Sequence, residues 1–170
     1  MQFFDLVAMK EDSLGSLASR LGYKKMFCAG KEVEIVEDLK STSPRKKILR
    51  SDDFEMITKG LKQGDVIGIM PKSASVSNKT LDVIKKGEKL LFIALSPATC
   101  ADANLRIHML AKARSLVRNT LKSKTPFSLI SLAEEKVGML SAAQALGVAD
   151  FFGIPQKHAQ EALHRLGDLL

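Results

Sequence analysis

Leu90-Leu-Phe-Ile-Ala-Leu95 and Pro126-Phe-Ser-Leu-Ile-Ser131 are the two apolar runs that decide the fold of this chain. The segment between them is long and basic, and its apolar residues recur at the spacing of one helix. A strand, a crossover helix and a second strand form a βαβ unit, in which both strands are parallel. Because parallel α/β folds carry their functional residues just past the strand ends, we expect such residues at Ser96, Pro97 and 131–136.

The rest of the chain repeats this order of strand and helix. Predicted strands cover residues 3–9, 23–29, 48–51 and 66–70, and Asp12 with Ser13 is predicted to cap the first helix. Such alternation predicts the α/β class with a mainly parallel sheet, either open and doubly wound or closed into a barrel. A length of 170 residues with 45% hydrophobic content suits one core, so we expect a single domain over residues 1–170.

Residues 31–47 interrupt the alternation. This stretch is polar, with an acidic part that is followed by Ser41-Thr-Ser-Pro44 and by the basic run Arg45-Lys46-Lys47. Its composition predicts an excursion from the domain or a mobile loop.

The charge balance favours a polyanionic partner. The chain has 26 Lys and Arg against 19 Asp and Glu, a net charge of +7. RNA, DNA or an anionic surface would suit this charge, although a protein that is merely basic has the same composition. The chain has no Trp and one Tyr, so contacts with the backbone and shape of folded RNA suit it better than stacking on single-stranded bases.

The basic segment after Leu95 is predicted to be an amphipathic helix. Its apolar face comprises Leu105, Met109, Leu110, Ala113, Leu116, Val117 and Leu121, and its polar face comprises His108, Lys112, Arg114, Arg118 and Lys122. Arg106 lies near the apolar face, where a charge needs an acidic or phosphate partner or must reach solvent. Arg106 could therefore form either a structural ion pair inside the protein or a functional contact with a ligand.

The sequence lacks the motifs of several enzyme classes. Its three histidines are not spaced as metal ligands, and there is no P-loop, G-x-G-x-x-G or G-x-S-x-G pattern. Cys28 and Cys100 show no metal spacing and are expected to be reduced. No apolar run approaches the ~18 residues that cross a membrane. We therefore predict no catalytic residue, no metal, no cofactor and no membrane contact, in a cytoplasmic protein.

The C-terminal part of the chain resembles protein component 3 of archaeal ribonuclease P and its eukaryotic counterpart. The resemblance rests on the strand that ends in Leu95-Ser-Pro97, the basic helix near Arg106, the run Phe127-Ser-Leu-Ile-Ser-Leu-Ala133 and the tail at residues 142–155. It covers residues 47–165 in order and spacing and is weaker over residues 1–46. Met139-Leu-Ser-Ala-Ala143 stands where the family has an Arg-x-Pro-x-Asp pattern.

This resemblance implies a TIM-barrel-like fold that is trimmed relative to a full eightfold barrel, usually ~250 residues. It implies a subunit that is not catalytic by itself, within the ribonucleoprotein that removes 5′ leaders from precursor tRNA. The implied partners are ribonuclease P RNA, precursor tRNA and a small protein subunit of RNA-recognition-motif-like fold. Together with the charge clusters, it predicts phosphate contacts by Arg45, Lys46, Lys47, Arg50, Arg106, Lys112, Arg114 and Arg118.

Two other classes of function are open. A small barrel enzyme that acts on an anionic metabolite would use the strand tips at Asp5, Ser96 and Ser131, and Arg106 would hold the anion. A protein-interaction module with incidental basicity is the third possibility.

Overall fold

The computed structural model describes residues 2–8, 14–73, 75–96 and 102–170. Within these ranges the strands are β1 Phe4–Val7, β2 Lys25–Cys28, β3 Val33–Val36, β4 Lys46–Arg50, β5 Val66–Met70, β6 Leu90–Ala94 and β7 Phe127–Ile130. The helices are α1 Leu14–Leu21, α2 Phe54–Gly60, α3 Asn78–Lys86, α4 Ala103–Ser123, α5 Ala142–Phe151 and α6 Gln156–Leu169. A short 3-10 helix, Lys136–Gly138, precedes α5.

The strands pair in parallel and in chain order. β1 pairs with β2, and β3 to β7 form a five-stranded sheet. Ala29 bridges to Val33 at one seam between the sheets, and at the other seam the N–H of Leu132 donates to the carbonyl of Leu6. The strand order follows the chain, as in a barrel, whereas a doubly wound sheet reverses its order. The fold is therefore α/β and TIM-barrel-like, with a hydrogen-bonded ladder that is interrupted at both seams.

The strands β5 and β6 are apolar on both faces because each face is covered. In β6, Leu90 and Phe92 pack into an inner cluster with side chains from the other strands, whereas Leu91 and Ile93 pack under the helices. Helix α6 adds Leu166 to the inner cluster. Its Arg165 donates to the carbonyl of Phe127, which places α6 across the end of the barrel where β7 begins.

The prediction of a mobile loop over residues 31–47 is wrong in part. Val33–Val36 forms β3, which pairs with β4, and Val33 is fully buried. The strand is only four residues long and contains the acidic Glu34, so its sequence alone gives a weak strand signal. Pairing with β4 stabilises it. The predicted cap at Asp12 and Ser13 lies outside the described residues, as do Met9, Pro97 and Cys100.

Across the described ranges, the helices are all too short or too polar to cross a membrane.

Gly68 of β5 lies so close to β6 that it leaves no room for a side chain. A Cβ at this position would collide with the carbonyl oxygen of Leu90 and with the ring of Phe92. Because that carbonyl belongs to the paired strand, relief requires movement of the sheet backbone. We expect Gly68→Ala to lower the free energy of unfolding by about 2–3 kcal/mol, measured by urea denaturation.

Gly15→Ala is the matched control for this prediction. Gly15 lies in α1, and a Cβ there meets open space. The change should stabilise the protein by up to about 1 kcal/mol, because alanine is the better helix former. Equal stability of Gly68→Ala and the native protein would show that the sheet yields at this point.

Candidate functional site

Asp5 and Ser131, two of the predicted strand-tip residues, bind each other inside the protein. Asp5 is 1% exposed and Ser131 is 2% exposed. The Oδ1 atom of Asp5 accepts hydrogen bonds from the N–H of Leu6 at 2.8 Å and from the N–H of Ser131 at 2.7 Å. Its Oδ2 atom accepts from the Ser131 hydroxyl at 2.6 Å. These bonds tie β1 to the end of β7 at a seam of the barrel.

The burial of Asp5 changes its acidity. Desolvation raises the pKa of Asp5 to about 6, although its hydrogen bonds with Ser131 and Leu6 act in the opposite direction. Nearby Tyr23 is also buried, and both its burial and the Asp5 carboxylate raise the pKa of its hydroxyl. The Asp5 carboxylate therefore has a structural role at the seam. Because both residues are buried, neither Asp5 nor Ser131 is accessible to a substrate.

Ser96, the third predicted tip residue, lines a cavity of about 110 Å³ beside the C-terminal ends of β4, β5 and β6. Most of its wall is apolar, and α4 covers one side of it. Ligand pockets usually measure about 300–1,000 Å³, so this cavity does not hold a typical metabolite. Arg106 is not part of its wall. The structure thus does not assemble Asp5, Ser96, Ser131 and Arg106 into the site that the enzyme alternative requires.

Two basic side chains border this cavity and share one acidic partner. Lys72 donates a hydrogen bond of 2.7 Å to Glu37, and Arg50 lies 4.0 Å from the same carboxylate. The hydrogen bond from Lys72 lowers the pKa of Glu37. Both Arg50 and Lys72 remain half-exposed, so they can still meet an anion from outside.

The basic cluster around β4 separates into exposed and internal residues. Arg45 and Lys46 are exposed where the strand begins, and Arg45 donates to the carbonyl of Gly30 at 3.0 Å. Lys47 is 5% exposed, and its Nζ atom lies 2.7 Å from Asp65. Lys47 also donates to the carbonyl of Ser41 at 2.6 Å, and its hydrogen bond lowers the pKa of Asp65. Its ammonium group is thus engaged within the fold.

Helix α4 is amphipathic, as its sequence predicts. Ala113, Leu116, Val117 and Thr120 are buried, whereas Lys112, Arg114 and Arg118 are exposed. The carboxylate of Asp102 caps the helix by accepting from the N–H of Leu105. The predicted burial of Leu105 is wrong, because its side chain lies in the first turn and is 52% exposed.

Arg106 is half-buried in the same turn of α4. Its guanidinium makes no ion pair with the residues that the structure describes, so an internal ion pair gains no support. The contact with an external anion stays a prediction.

Sequence reasoning missed an apolar surface beside the basic face of α4. Ile107 is 64% exposed and Phe151, at the end of α5, is 57% exposed. The signals were an isoleucine outside the apolar stripe of α4 and the pair Phe151-Phe152, of which only Phe152 is buried.

No group of three or more His, Cys, Asp or Glu side chains is placed to hold a metal ion within the described ranges. Cys28 is a buried thiol whose Sγ atom donates to the carbonyl of Ala29 at 3.4 Å.

No protein-family model and no curated protein matches the sequence. The fold does match that of a chain in the cryo-EM structure of archaeal ribonuclease P with mature tRNA. The TM-score is 0.69 at 12% sequence identity, and the match covers 99% of this chain and 81% of the other. This likeness establishes the shared fold over almost the whole chain.

The seam carboxylate predicts an inverted pH dependence of stability. The pKa of Asp5 is near 3.8 in the unfolded chain and about 6 in the fold, so the folded state holds the proton more tightly. Its contribution to stability is present below about pH 4 and is lost as the pH rises through 6. The side chain of Asp5→Asn stays neutral. Its amide oxygen can accept from the N–H groups of Leu6 and Ser131, and its NH2 group can donate to the Ser131 hydroxyl, which then accepts. From pH 4 to pH 7 the free energy of unfolding of the native protein should therefore fall by about 2–3 kcal/mol relative to that of Asp5→Asn, measured by urea denaturation at both pH values.

Asp5→Ala separates the charge of this residue from its hydrogen bonds. The alanine variant leaves the N–H groups of Leu6 and Ser131 without their partner, so it should be destabilised at both pH values. A difference between Asp5→Asn and the native protein that does not vary with pH would contradict the assignment.

Proposed function

We propose that this chain is a protein subunit of ribonuclease P, corresponding to its component 3, and supports the RNA-catalysed removal of 5′ leaders from precursor tRNA. The observation that carries the proposal is the full-length likeness in fold to a chain of an archaeal ribonuclease P particle. The sequence resemblance of residues 47–165 to component 3 is a separate observation that supports it.

The electrostatics of the chain support an RNA partner. The net charge is +7, and exposed basic side chains on β4 and α4 can neutralise phosphates. The RNA contacts that we propose are Arg45, Lys46, Arg50, Arg106 and Lys112. Lys47 is omitted because Asp65 and Ser41 already bind its ammonium group. The predicted contacts Arg114 and Arg118 are also left out of this set, because they line a hollow together with the apolar Ile107 and Phe151.

The proposed setting is the one that the resemblance to component 3 implies. The partners are ribonuclease P RNA, precursor tRNA and a small protein subunit of RNA-recognition-motif-like fold, in the cytoplasm. The chain contributes surface and shape, and the RNA contributes the catalytic groups. The described strand tips do not support the enzyme alternative, because Asp5 and Ser131 are buried and hydrogen-bonded to each other.

Reconstitution of archaeal ribonuclease P from its RNA and protein subunits tests the proposal. We expect omission of this chain to slow leader cleavage at low magnesium by about tenfold, equivalent to about 1.4 kcal/mol. The loss should shrink at high magnesium, because added cations replace part of the charge neutralisation that the protein supplies. Cleavage that is unaffected by the omission at every magnesium concentration would refute the proposed role.

Charge reversal tests the RNA contacts themselves. Lys46→Glu with Lys112→Glu should weaken binding to ribonuclease P RNA and reduce the salt slope by about 2, since each lost phosphate contact removes about 1. Lys59→Glu with Lys62→Glu is the matched control, because it changes the net charge equally at exposed positions outside the proposed set. Equal salt slopes for the two double variants would assign the binding to net charge alone.

A further inference from the structure

A continuous groove runs between α4 and α5 on the outside of the barrel. It consists of three adjoining hollows of about 410, 400 and 520 Å³. The first two hollows share Leu110 and Phe151, and the last two share Arg114 and Arg118. We call this feature the α4–α5 groove.

The α4 wall of the groove is a straight stripe. Ile107, Ala111, Arg114, Arg118 and Lys122 line it in turn. Steps of three and four residues keep side chains on one helix face. At 1.5 Å per residue the stripe is about 22 Å long, which is the length of about four helical turns.

The two ends of the groove differ in chemistry. One end is apolar, because Ile107 and Phe151 are more than half exposed there and Leu110 and Val148 continue the surface. The other end is cationic, since Arg114, Arg118 and Lys122 line it. None of these three cations makes an ion pair with a residue in the described ranges.

We propose that the α4–α5 groove binds an amphipathic helix of a partner protein, apolar in one half and acidic in the other. The groove is about as long as a short helix, and apolar anchors at helical spacing are the usual contacts of a helix in a groove. Carboxylates on the second half of that helix would meet the three cations. The inference does not depend on the proposed role in ribonuclease P.

Other occupants fit the observations less well. RNA would engage the cations, but the exposed Ile107 and the adjoining Leu110 offer nothing to a phosphate backbone. A second copy of this chain would bring another net charge of +7 to a cationic surface. An anionic membrane is flat, whereas the cations here line the wall of a hollow.

A synthetic peptide supplies a direct probe. The peptide is a fluorescein-labelled helix of about 16 residues, with leucines at i, i+3, i+4 and i+7 in one half and glutamates on the same face of the other half. A peptide of the same composition in scrambled order is its control. Fluorescence polarisation with the full chain should detect the patterned peptide at a concentration at least about tenfold lower than the scrambled one.

Filling the groove tests its location without disturbing the fold. A Cβ at Gly147, on the α5 side of the groove, meets no atom within 4 Å, so Gly147→Gln should place its side chain in the groove while the helix persists. Gly15→Gln is the same substitution at an equally open helical glycine in α1. We expect Gly147→Gln to weaken peptide binding by at least about tenfold and Gly15→Gln to leave it unchanged. Thermal melting should show that both variants fold.

Charge reversal tests the cationic end. Arg114→Glu with Arg118→Glu should weaken binding of the patterned peptide by at least about tenfold, whereas Lys59→Glu with Lys62→Glu should not. Equal binding of the patterned and scrambled peptides would overturn the proposal. It would also be overturned if Gly147→Gln weakened the binding of tRNA or of phosphatidylglycerol vesicles and left peptide binding intact. None of these measurements uses ribonuclease P activity. A negative result would therefore contradict the proposed groove and would not bear on the proposed function.

Discussion

The hydrogen-bonded contact between Asp5 and Ser131 holds the first strand of the barrel to the last. The two residues are 126 positions apart, and they meet at a seam where the regular strand ladder is interrupted. A buried carboxylate is unfavourable unless it is neutralised or hydrogen-bonded, and here both of its oxygens accept hydrogen bonds. The helices α1 and α5 then cover the seam, since Leu14, Ala18 and Ala142 pack with Val7 of β1. This seam thus combines the buried contact of Asp5 and Ser131, the backbone hydrogen bond from Leu132 to Leu6 and an apolar cover.

Because Asp5 and Ser131 at the strand tips bind each other, these tips do not form an open binding site. In barrel enzymes the residues at the carboxyl ends of strands face the substrate. Here Asp5 and Ser131 are buried against each other, and Ser96 borders a cavity too small for a typical metabolite. The exposed basic side chains that we predicted to bind an anion instead lie at the start of β4 and on the outer face of α4. Such positions suit contacts with large partners.

The outer surface divides into two kinds of contact area. Arg45, Lys46 and Lys112 are exposed cations that suit phosphate groups. The α4–α5 groove combines cations with Ile107 and Phe151, which suits a protein helix. A chain with both kinds of surface can contact an RNA and another protein at the same time, as the proposed function requires.

Hydrophobic periodicity predicted the alternation of strands and helices and the amphipathic α4, because these features depend on residues close together in the chain. The α/β class and the parallel strands were inferred from that alternation. The tertiary structure decided the features that depend on distant partners. Val33–Val36 is a strand because β4 pairs with it, and Lys47 is internal because Asp65 and Ser41 reach its ammonium group. Likewise, Leu105 and Ile107 are exposed because the first turns of α4 leave them outside the core. A pattern within one segment records which side chains can be buried, whereas the packing of separate segments decides which of them are.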